Sequence, residues 1–166
     1  MRVSGNPNET IITYALGSCL GIAIYDPVIR VGGLLHVMLP ISKADPEKAK
    51  LKPEMYVDTG FSKLLTTFYD FGAVKSNMKI YVAGGASMKQ NGSDDYFKIG
   101  SRNFTVLRKL LWKNGFIIDY QDVGGNMART MSMRISDGVV CINKTPVNVQ
   151  CNLECNYTKW KRANYS

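Results

Sequence analysis

The chain has little histidine: His36 is the only one among its 166 residues. Any mechanism that needs an imidazole must use His36, and a zinc site would need sulfur or carboxylate ligands almost throughout. Long apolar runs are missing too: no stretch approaches the roughly 18 residues of a membrane-spanning helix, and the amino-terminal residues lack the apolar segment of a signal peptide. We therefore expect a cytoplasmic protein without membrane insertion.

Cysteine is also sparse, and the four present are Cys19, Cys141, Cys151 and Cys155. A chain of this length can bury an ordinary hydrophobic core without covalent staples, and disulfides are rare in a reducing compartment. The four cysteines are therefore predicted to be thiols. Neither a second cysteine pair nor a histidine follows Cys151 and Cys155, so we expect no metal site and no cofactor.

The charge is strongly positive, with 21 basic and 13 acidic residues and a formal net charge of +8. Such a balance favours encounter with an acidic partner without identifying it. No helix-turn-helix, zinc finger or aromatic RNA-binding motif is recognisable, so nucleic acid is not the expected partner. The glycine pairs at 84–85 and 124–125 lack the spacing of phosphate-binding loops and are predicted to form tight turns.

Apolar patterning predicts an α+β domain that comprises residues 1–151, followed by a polar tail at 152–166 that could be disordered. One amphipathic helix is predicted at 55–71, and a second begins after a Ser101 N-cap and ends at 114–115. Residues 42–53 are predicted to be an exposed loop. Seven segments have strand character and a hairpin signal stands at 137–138; the segments are 10–14, 20–25, 33–39, 78–83, 116–123, 130–135 and 139–142.

Cys19 follows Gly17 and Ser18 in a turn of small residues between two apolar segments. Small residues allow the backbone to bend sharply, and the amide hydrogens of such a turn can converge on an anion. A thiol placed there could be a nucleophile beside its own oxyanion hole. The alternative is a buried cysteine with a purely structural role.

His36 interrupts an apolar strand, where a polar partner must face the imidazole. If the turn at 26–27 makes the strands of Cys19 and His36 antiparallel neighbours, the two side chains can approach within a hydrogen bond, which would activate the thiol. The alternative is a core histidine bound to backbone. Thr13 could orient the ring through its hydroxyl, but spacing leaves three rivals open: Asp26, Asp58 and Asp122.

Several ordered motifs resemble the CheD family of chemoreceptor glutamine deamidases over about residues 13–142. The motifs are Leu16-Gly17-Ser18-Cys19, Tyr25-Asp26-Pro27, Gly32-Gly33, His36-Val37-Met38-Leu39-Pro40, Gly84-Gly85-Ala86-Ser87-Met88, Ile99-Gly100-Ser101-Arg102-Asn103 and Asp122 with Gly124-Gly125-Asn126-Met127-Ala128-Arg129. The family's catalytic cysteine, histidine and threonine fall on Cys19, His36 and Thr13. The resemblance implies a layered sandwich of mixed and antiparallel sheet with two main helices outside, similar to the cysteine-hydrolase fold of bacterial toxin deamidases. It also implies no metal or organic cofactor.

The function expected from this resemblance is deamidation of chemoreceptor glutamines through a cysteine thioester. Backbone amides around Gly17, Ser18 and Cys19 would hold the oxyanion, and Asn126 and Arg129 would line the substrate groove. The partners would be the acidic cytoplasmic helices of receptors and the CheC phosphatase. The alternative is a non-catalytic module that docks to receptors or to CheC and tunes chemotaxis signalling.

Overall fold

The computed structural model describes residues 1–87 and 97–146, and eight strands and three α-helices lie within them. The strands are β1 (Arg2–Ser4), β2 (Thr10–Leu16), β3 (Leu20–Asp26), β4 (Val31–Val37), β5 (Lys79–Gly84), β6 (Tyr120–Val123), β7 (Met127–Arg134) and β8 (Val140–Pro146). The helices are α1 (Pro46–Leu51), α2 (Val57–Asp70) and α3 (Ile99–Lys113), with short 3-10 turns at Ser42–Ala44, Pro53–Met55 and Lys75–Asn77.

The strands form two sheets. A five-stranded sheet has the order β1-β4-β3-β5-β6, in which every neighbouring pair is antiparallel except β5 and β6. A three-stranded antiparallel sheet has the order β2-β7-β8. β2 and β3 adjoin in sequence but belong to different sheets, so the segment between them crosses from one sheet to the other.

Two hydrophobic clusters hold three layers together. The outer faces of α2 and α3 are mostly polar, whereas their apolar faces pack on one side of the five-stranded sheet through residues such as Phe61, Phe68 and Leu107. The three-stranded sheet packs on the opposite side, where Met131 and Met133 meet Leu34. β3 is consequently buried on both faces, which explains its unbroken apolar run. The predicted layered α+β sandwich with two main helices outside is confirmed.

Local details differ from the sequence predictions. The segment 42–53 is not a plain loop, because α1 forms there with Asp45 accepting a hydrogen bond from the Lys48 amide as its N-cap. α3 begins at Ile99 rather than after Ser101, and the segment 116–123 is extended only at its β6 end. The β7–β8 hairpin is joined by five residues instead of a tight two-residue turn, and β1 was not predicted.

Some predictions concern residues outside the described ranges. These are the polar tail at 152–166 and the thiols of Cys151 and Cys155. The division of the chain at residue 151 stays a prediction. Within the described residues, no helix is long and apolar enough to cross a membrane.

Candidate functional site

Cys19 and His36 lie on the same side of the five-stranded sheet. β3 and β4 pair antiparallel with Gly21 opposite His36, and Cys19 directly precedes β3. The Cys19 side chain packs on the hydrophobic cluster between the two sheets. His36 shares its strand face with Leu34 of that cluster, because side chains two residues apart point to the same side of a strand. The predicted antiparallel arrangement of the two strands is confirmed.

Thr13 reaches His36 from the opposite sheet. Its Oγ1 lies 2.8 Å from Nδ1 of His36, and its side chain is buried on β2. The three aspartates that rivalled it have other partners: Asp26 accepts from backbone amides of residues 28, 29 and 74, Asp58 accepts from Ser42, and Asp122 binds Arg129 and Lys144. Of the four candidates, Thr13 is therefore the one that is hydrogen-bonded to the imidazole.

A β-bulge separates Thr13 from the Cys19 turn. Thr13 pairs with Met131 and Leu16 pairs with Arg129, so β2 has one extra residue between these pairs. Ala15 takes up the irregularity with a φ of 56°, a left-handed conformation that costs energy for a residue with a Cβ. Such bulges re-aim a strand. Here the bulge lies just before the last pair of β2, beyond which the chain crosses to the five-stranded sheet.

The second imidazole nitrogen has no hydrogen-bond partner among the described residues. Nε2 of His36 is buried and unbonded, so Sγ of Cys19 makes no hydrogen bond with it at rest. Burial lowers the pKa of His36, with a further contribution from the positive charge of the chain's amino group. Burial also raises the pKa of the Cys19 thiol, against a smaller opposing effect of its own backbone amide. Both shifts favour the neutral pair, a protonated thiol beside a neutral imidazole. The thiol is therefore not activated in advance by an imidazolium.

Each backbone carbonyl of the Cys19 turn accepts a hydrogen bond from a residue outside the turn. Gly17 O accepts from the Ala86 amide at 2.8 Å, and Cys19 O accepts from the Gly85 amide at 2.8 Å. Ser18 O accepts from the side-chain amide of Asn103 at 3.1 Å.

One backbone amide of the same turn donates a hydrogen bond, and two have no carbonyl acceptor among the described residues. Gly17 N–H donates to Ala15 O, whereas neither Ser18 N–H nor Cys19 N–H donates to a carbonyl of the described residues. The free donors are thus those of Ser18 and Cys19. The amide of Gly17 is not available to an oxyanion in this conformation.

The two glycine pairs form turns that support the Cys19 turn. Gly84 and Gly85 have φ values of 109° and 63°, and a Cβ on Gly84 would overlap the Cys19 carbonyl oxygen. Gly124 N–H in turn donates to Gly84 O at 2.9 Å. Each loop therefore supports the next through backbone contacts. The glycines allow the backbones to approach each other closely and do not indicate phosphate binding.

Arg129 builds the loop between β6 and β7. Its guanidinium is buried and donates to Gly124 O and Met127 O at 2.6 and 2.7 Å and to Asp122 at 3.0 Å. Although burial raises the pKa of Asp122, hydrogen bonds from Lys144 and Arg129 hold it below its ordinary value. Arg129 thus acts on the shape of the loop, and Asn126 stands exposed at its turn.

Asn103 is a site residue to which the sequence analysis gave no role. It is fully buried on α3, and its Nδ2 donates to Ser18 O and to Met38 O. A signal was present in the sequence: Asn103 precedes Leu107 by four residues and Leu111 by eight, which places an amide on the apolar stripe of the helix. A polar residue at a buried helical position must bind something polar.

Comparisons with known proteins identify the same family that the sequence motifs resemble. The family model "CheD chemotactic sensory transduction" matches residues 38–144. "Probable chemoreceptor glutamine deamidase CheD 1" of Syntrophus aciditrophicus is 45% identical over 87% of this chain and 89% of its own length. The corresponding proteins of Solibacter usitatus and Pyrococcus abyssi are 43% and 40% identical, over 82% and 84% of this chain and 80% and 85% of their own lengths.

The family match begins beyond Thr13, Cys19 and His36. It therefore does not itself assign roles to these residues. Their chemistry has to be argued from the contacts described above.

Proposed function

The chain belongs to the CheD family, and from that premise we propose that it is a chemoreceptor glutamine deamidase. It hydrolyses the side-chain amide of receptor glutamines to glutamate and releases ammonia. One observation supports the chemistry above all: a buried imidazole with a free Nε2 shares a sheet face with a thiol whose turn presents two free amides. A nucleophile, a base and an oxyanion site are then within one small region.

The first half of the reaction forms a thioester. The reaction uses the tautomer in which Nδ1–H of His36 donates to Thr13 Oγ1 across their 2.8 Å contact, because this leaves the lone pair on Nε2 to accept the Cys19 proton. Sγ attacks the side-chain carbonyl carbon of glutamine, and the amides of Ser18 and Cys19 bind the developing oxyanion. The imidazolium then donates its proton to the amide nitrogen as the carbon–nitrogen bond breaks, and ammonia leaves.

The second half hydrolyses the thioester. Neutral His36 accepts a proton from water, and the hydroxide formed attacks the thioester carbon. The carbon–sulfur bond breaks as the oxyanion collapses, and Cys19 recovers its proton from the imidazolium. The net change is one water consumed and one ammonia released, so a neutral resting pair is restored. No cofactor is required by this sequence of steps.

The substrate approaches along the loops that surround Cys19. We assign Asn126 to the wall of the groove, because it stands exposed on the turn whose Gly125 carbonyl accepts from Ser87 N–H. Arg129 supports that wall through the carbonyls of Gly124 and Met127. The net charge of +8 favours encounter with acidic receptor helices.

The location and the second partner belong to the same proposal. A protein that modifies receptor cytoplasmic helices acts in the cytoplasm, and the family resemblance supports the CheC phosphatase as a further partner. Co-elution of the purified chain with CheC in size-exclusion chromatography tests the partnership, and separate elution at concentrations well above those in the cell would contradict it.

The deamidation itself is tested by mass spectrometry of receptor cytoplasmic domains incubated with the protein. We expect replacement of an amide nitrogen by oxygen at specific glutamines with the wild-type chain, and none with Cys19→Ala. Cys141→Ala is the matched control, because Cys141 is also a half-buried free thiol but lies on β8. Deamidation by a folded Cys19→Ala protein at the wild-type rate would exclude Cys19 as the nucleophile, whereas no deamidation by the wild-type chain would favour the docking function.

A further inference from the structure

The orientation of a peptide group fixes where its N–H points. In a trans peptide the carbonyl oxygen of one residue and the N–H of the next point in opposite directions. The hydrogen bond to Gly17 O therefore directs the Ser18 N–H, and the hydrogen bond to Ser18 O directs the Cys19 N–H. These are the two amides without a carbonyl partner. Whatever holds the Ser18 carbonyl thus sets one donor of the oxyanion site.

The Ser18 carbonyl is held by a side chain, whereas the carbonyls of Gly17 and Cys19 are held by backbone. That side chain is Asn103, which lies 85 positions further along the chain. Its Nδ2 also donates to Met38 O at 3.0 Å, two residues beyond His36. One amide group therefore joins the peptide that carries the oxyanion donor to the strand that carries the base. An NH₂ group can serve both carbonyls, since it carries two hydrogens and each carbonyl needs a donor.

The position of Asn103 is set by close packing of α3. A Cβ on Gly100 would lie 2.5 Å from Gly85 O and 2.8 Å from Ala86 O, so the first turn of the helix contacts the loop whose amides bind Gly17 and Cys19. The three groups that donate to the carbonyls of the Cys19 turn therefore lie on α3 and on the loop that packs against it. Asn103 is the only one of the three that acts through a side chain and can be removed without altering the backbone.

On the basis of the proposed deamidation, we infer that Asn103 is a positioning residue for the oxyanion site. It fixes the Ser18–Cys19 peptide with the N–H of Cys19 towards the substrate carbonyl, in register with His36. Loss of one oxyanion donor lowers kcat by roughly 100- to 1,000-fold in hydrolases where it has been measured, and this sets the upper range for Asn103. Substrate binding should not depend on this peptide's orientation. The pKa of the Cys19 thiol should rise only a little if the peptide turns, because the Cys19 amide lowers that pKa by less than burial raises it.

Two reactions of Cys19 separate this role from a merely structural one. Alkylation by iodoacetamide displaces iodide at a saturated carbon, so it needs a thiolate and access but no oxyanion hole. Deamidation needs a thiolate, access to it and an oxyanion hole. The experiment compares both rates in wild type, Asn103→Leu and Asn103→Ala, with kcat and KM from receptor deamidation and with alkylation followed by mass spectrometry of the Cys19 peptide.

We expect both Asn103 variants to lose about 100-fold in kcat with KM unchanged. Cys19 alkylation should slow far less than deamidation, and its pH midpoint should move up only a little, because the Cys19 amide has the smaller influence on the thiol pKa. Asn114→Ala is the matched control, because Asn114 also donates its side-chain amide to a carbonyl of α3, at the opposite end and exposed. Its two rates should equal those of wild type.

Three results would overturn the inference: an unchanged kcat, a parallel fall of deamidation and alkylation, or failure of both variants to fold by circular dichroism. The last two would assign Asn103 to stability alone. Retained deamidation by Cys19→Ala is a different outcome, because it would remove the proposed mechanism itself.

Discussion

Thr13 and His36 are joined by a 2.8 Å hydrogen bond between Oγ1 and Nδ1, although they belong to different sheets. The bond spans the layer in which the apolar side chains of both sheets meet. It occupies one nitrogen of the only imidazole in the chain and leaves the other, Nε2, without a partner among the described residues. The packing of the two sheets thereby fixes the direction of the base.

Removal of the Thr13 hydroxyl should impair turnover without abolishing it. Thr13→Val keeps the β-branched shape but leaves Nδ1 without an acceptor, so the ring loses its orientation. We expect kcat/KM to fall roughly 10- to 100-fold, because general acid–base assistance contributes roughly 100- to 10,000-fold and a misoriented base loses part of it. Thr13→Ser is the control and should retain most activity. A Thr13→Val protein with wild-type kinetics would remove the orienting role.

The neutral resting pair predicts a slow thiol at neutral pH. Burial raises the pKa of Cys19, so the rate of alkylation by iodoacetamide should rise with pH and reach its midpoint above the ordinary thiol value of about 8.5. His36→Ala should change this rate little while abolishing deamidation, because the histidine acts as a base during turnover instead of forming an ion pair at rest. A plateau of fast alkylation below neutral pH would show a preformed thiolate and contradict this prediction.

The acid limb of the pH profile should report His36. Burial lowers its pKa, so the neutral base persists below the ordinary histidine value of about 6.5, and kcat/KM should fall only under that pH. The unfolded chain binds the His36 proton at a higher pH than the folded chain, so acidification also lowers stability. Thermal melts in the same buffers separate the two effects. A limb centred above 6.5 with the protein fully folded would be inconsistent with a buried neutral base.

The sequence was sufficient to predict that the strands of Cys19 and His36 are antiparallel neighbours. The turn at 26–27 and two short apolar strands imply antiparallel neighbours, and a polar residue in such a strand demands a partner. The choice of Thr13 over three aspartates could not be made from spacing, because it depends on how two sheets pack. The pKa shifts of Cys19 and His36 could likewise not be predicted from the sequence, because they result from burial.

Asn103 shows a different limit of sequence analysis. Its two hydrogen bonds join positions 85 and 65 residues away, so no local pattern can identify its partners. The contact arises from the depth at which α3 packs against the five-stranded sheet, and that depth is set by a glycine. The polar residue on an apolar stripe was visible in the sequence, whereas the carbonyls that it binds were not.

Close packing at Gly100 therefore predicts coupled losses of stability and activity. In Gly100→Ala the new methyl group would meet the carbonyl oxygens of Gly85 and Ala86 at 2.5 and 2.8 Å, and backbone can yield only if α3 moves away. Overpacking of this kind costs about 1–3 kcal/mol of unfolding free energy, and the same movement would carry Asn103 away from Ser18. Urea denaturation and receptor deamidation should both report the change.

Gly5→Ala is the matched control for Gly100→Ala. Gly5 is exposed, and a Cβ there would lie 3.5 Å from the Val31 side chain, which is ordinary van der Waals contact. Its stability and kcat should equal those of wild type. If Gly100→Ala kept full kcat despite the loss of stability, the helix would have moved without disturbing the Cys19 turn, and α3 would not be the element that positions the oxyanion amides.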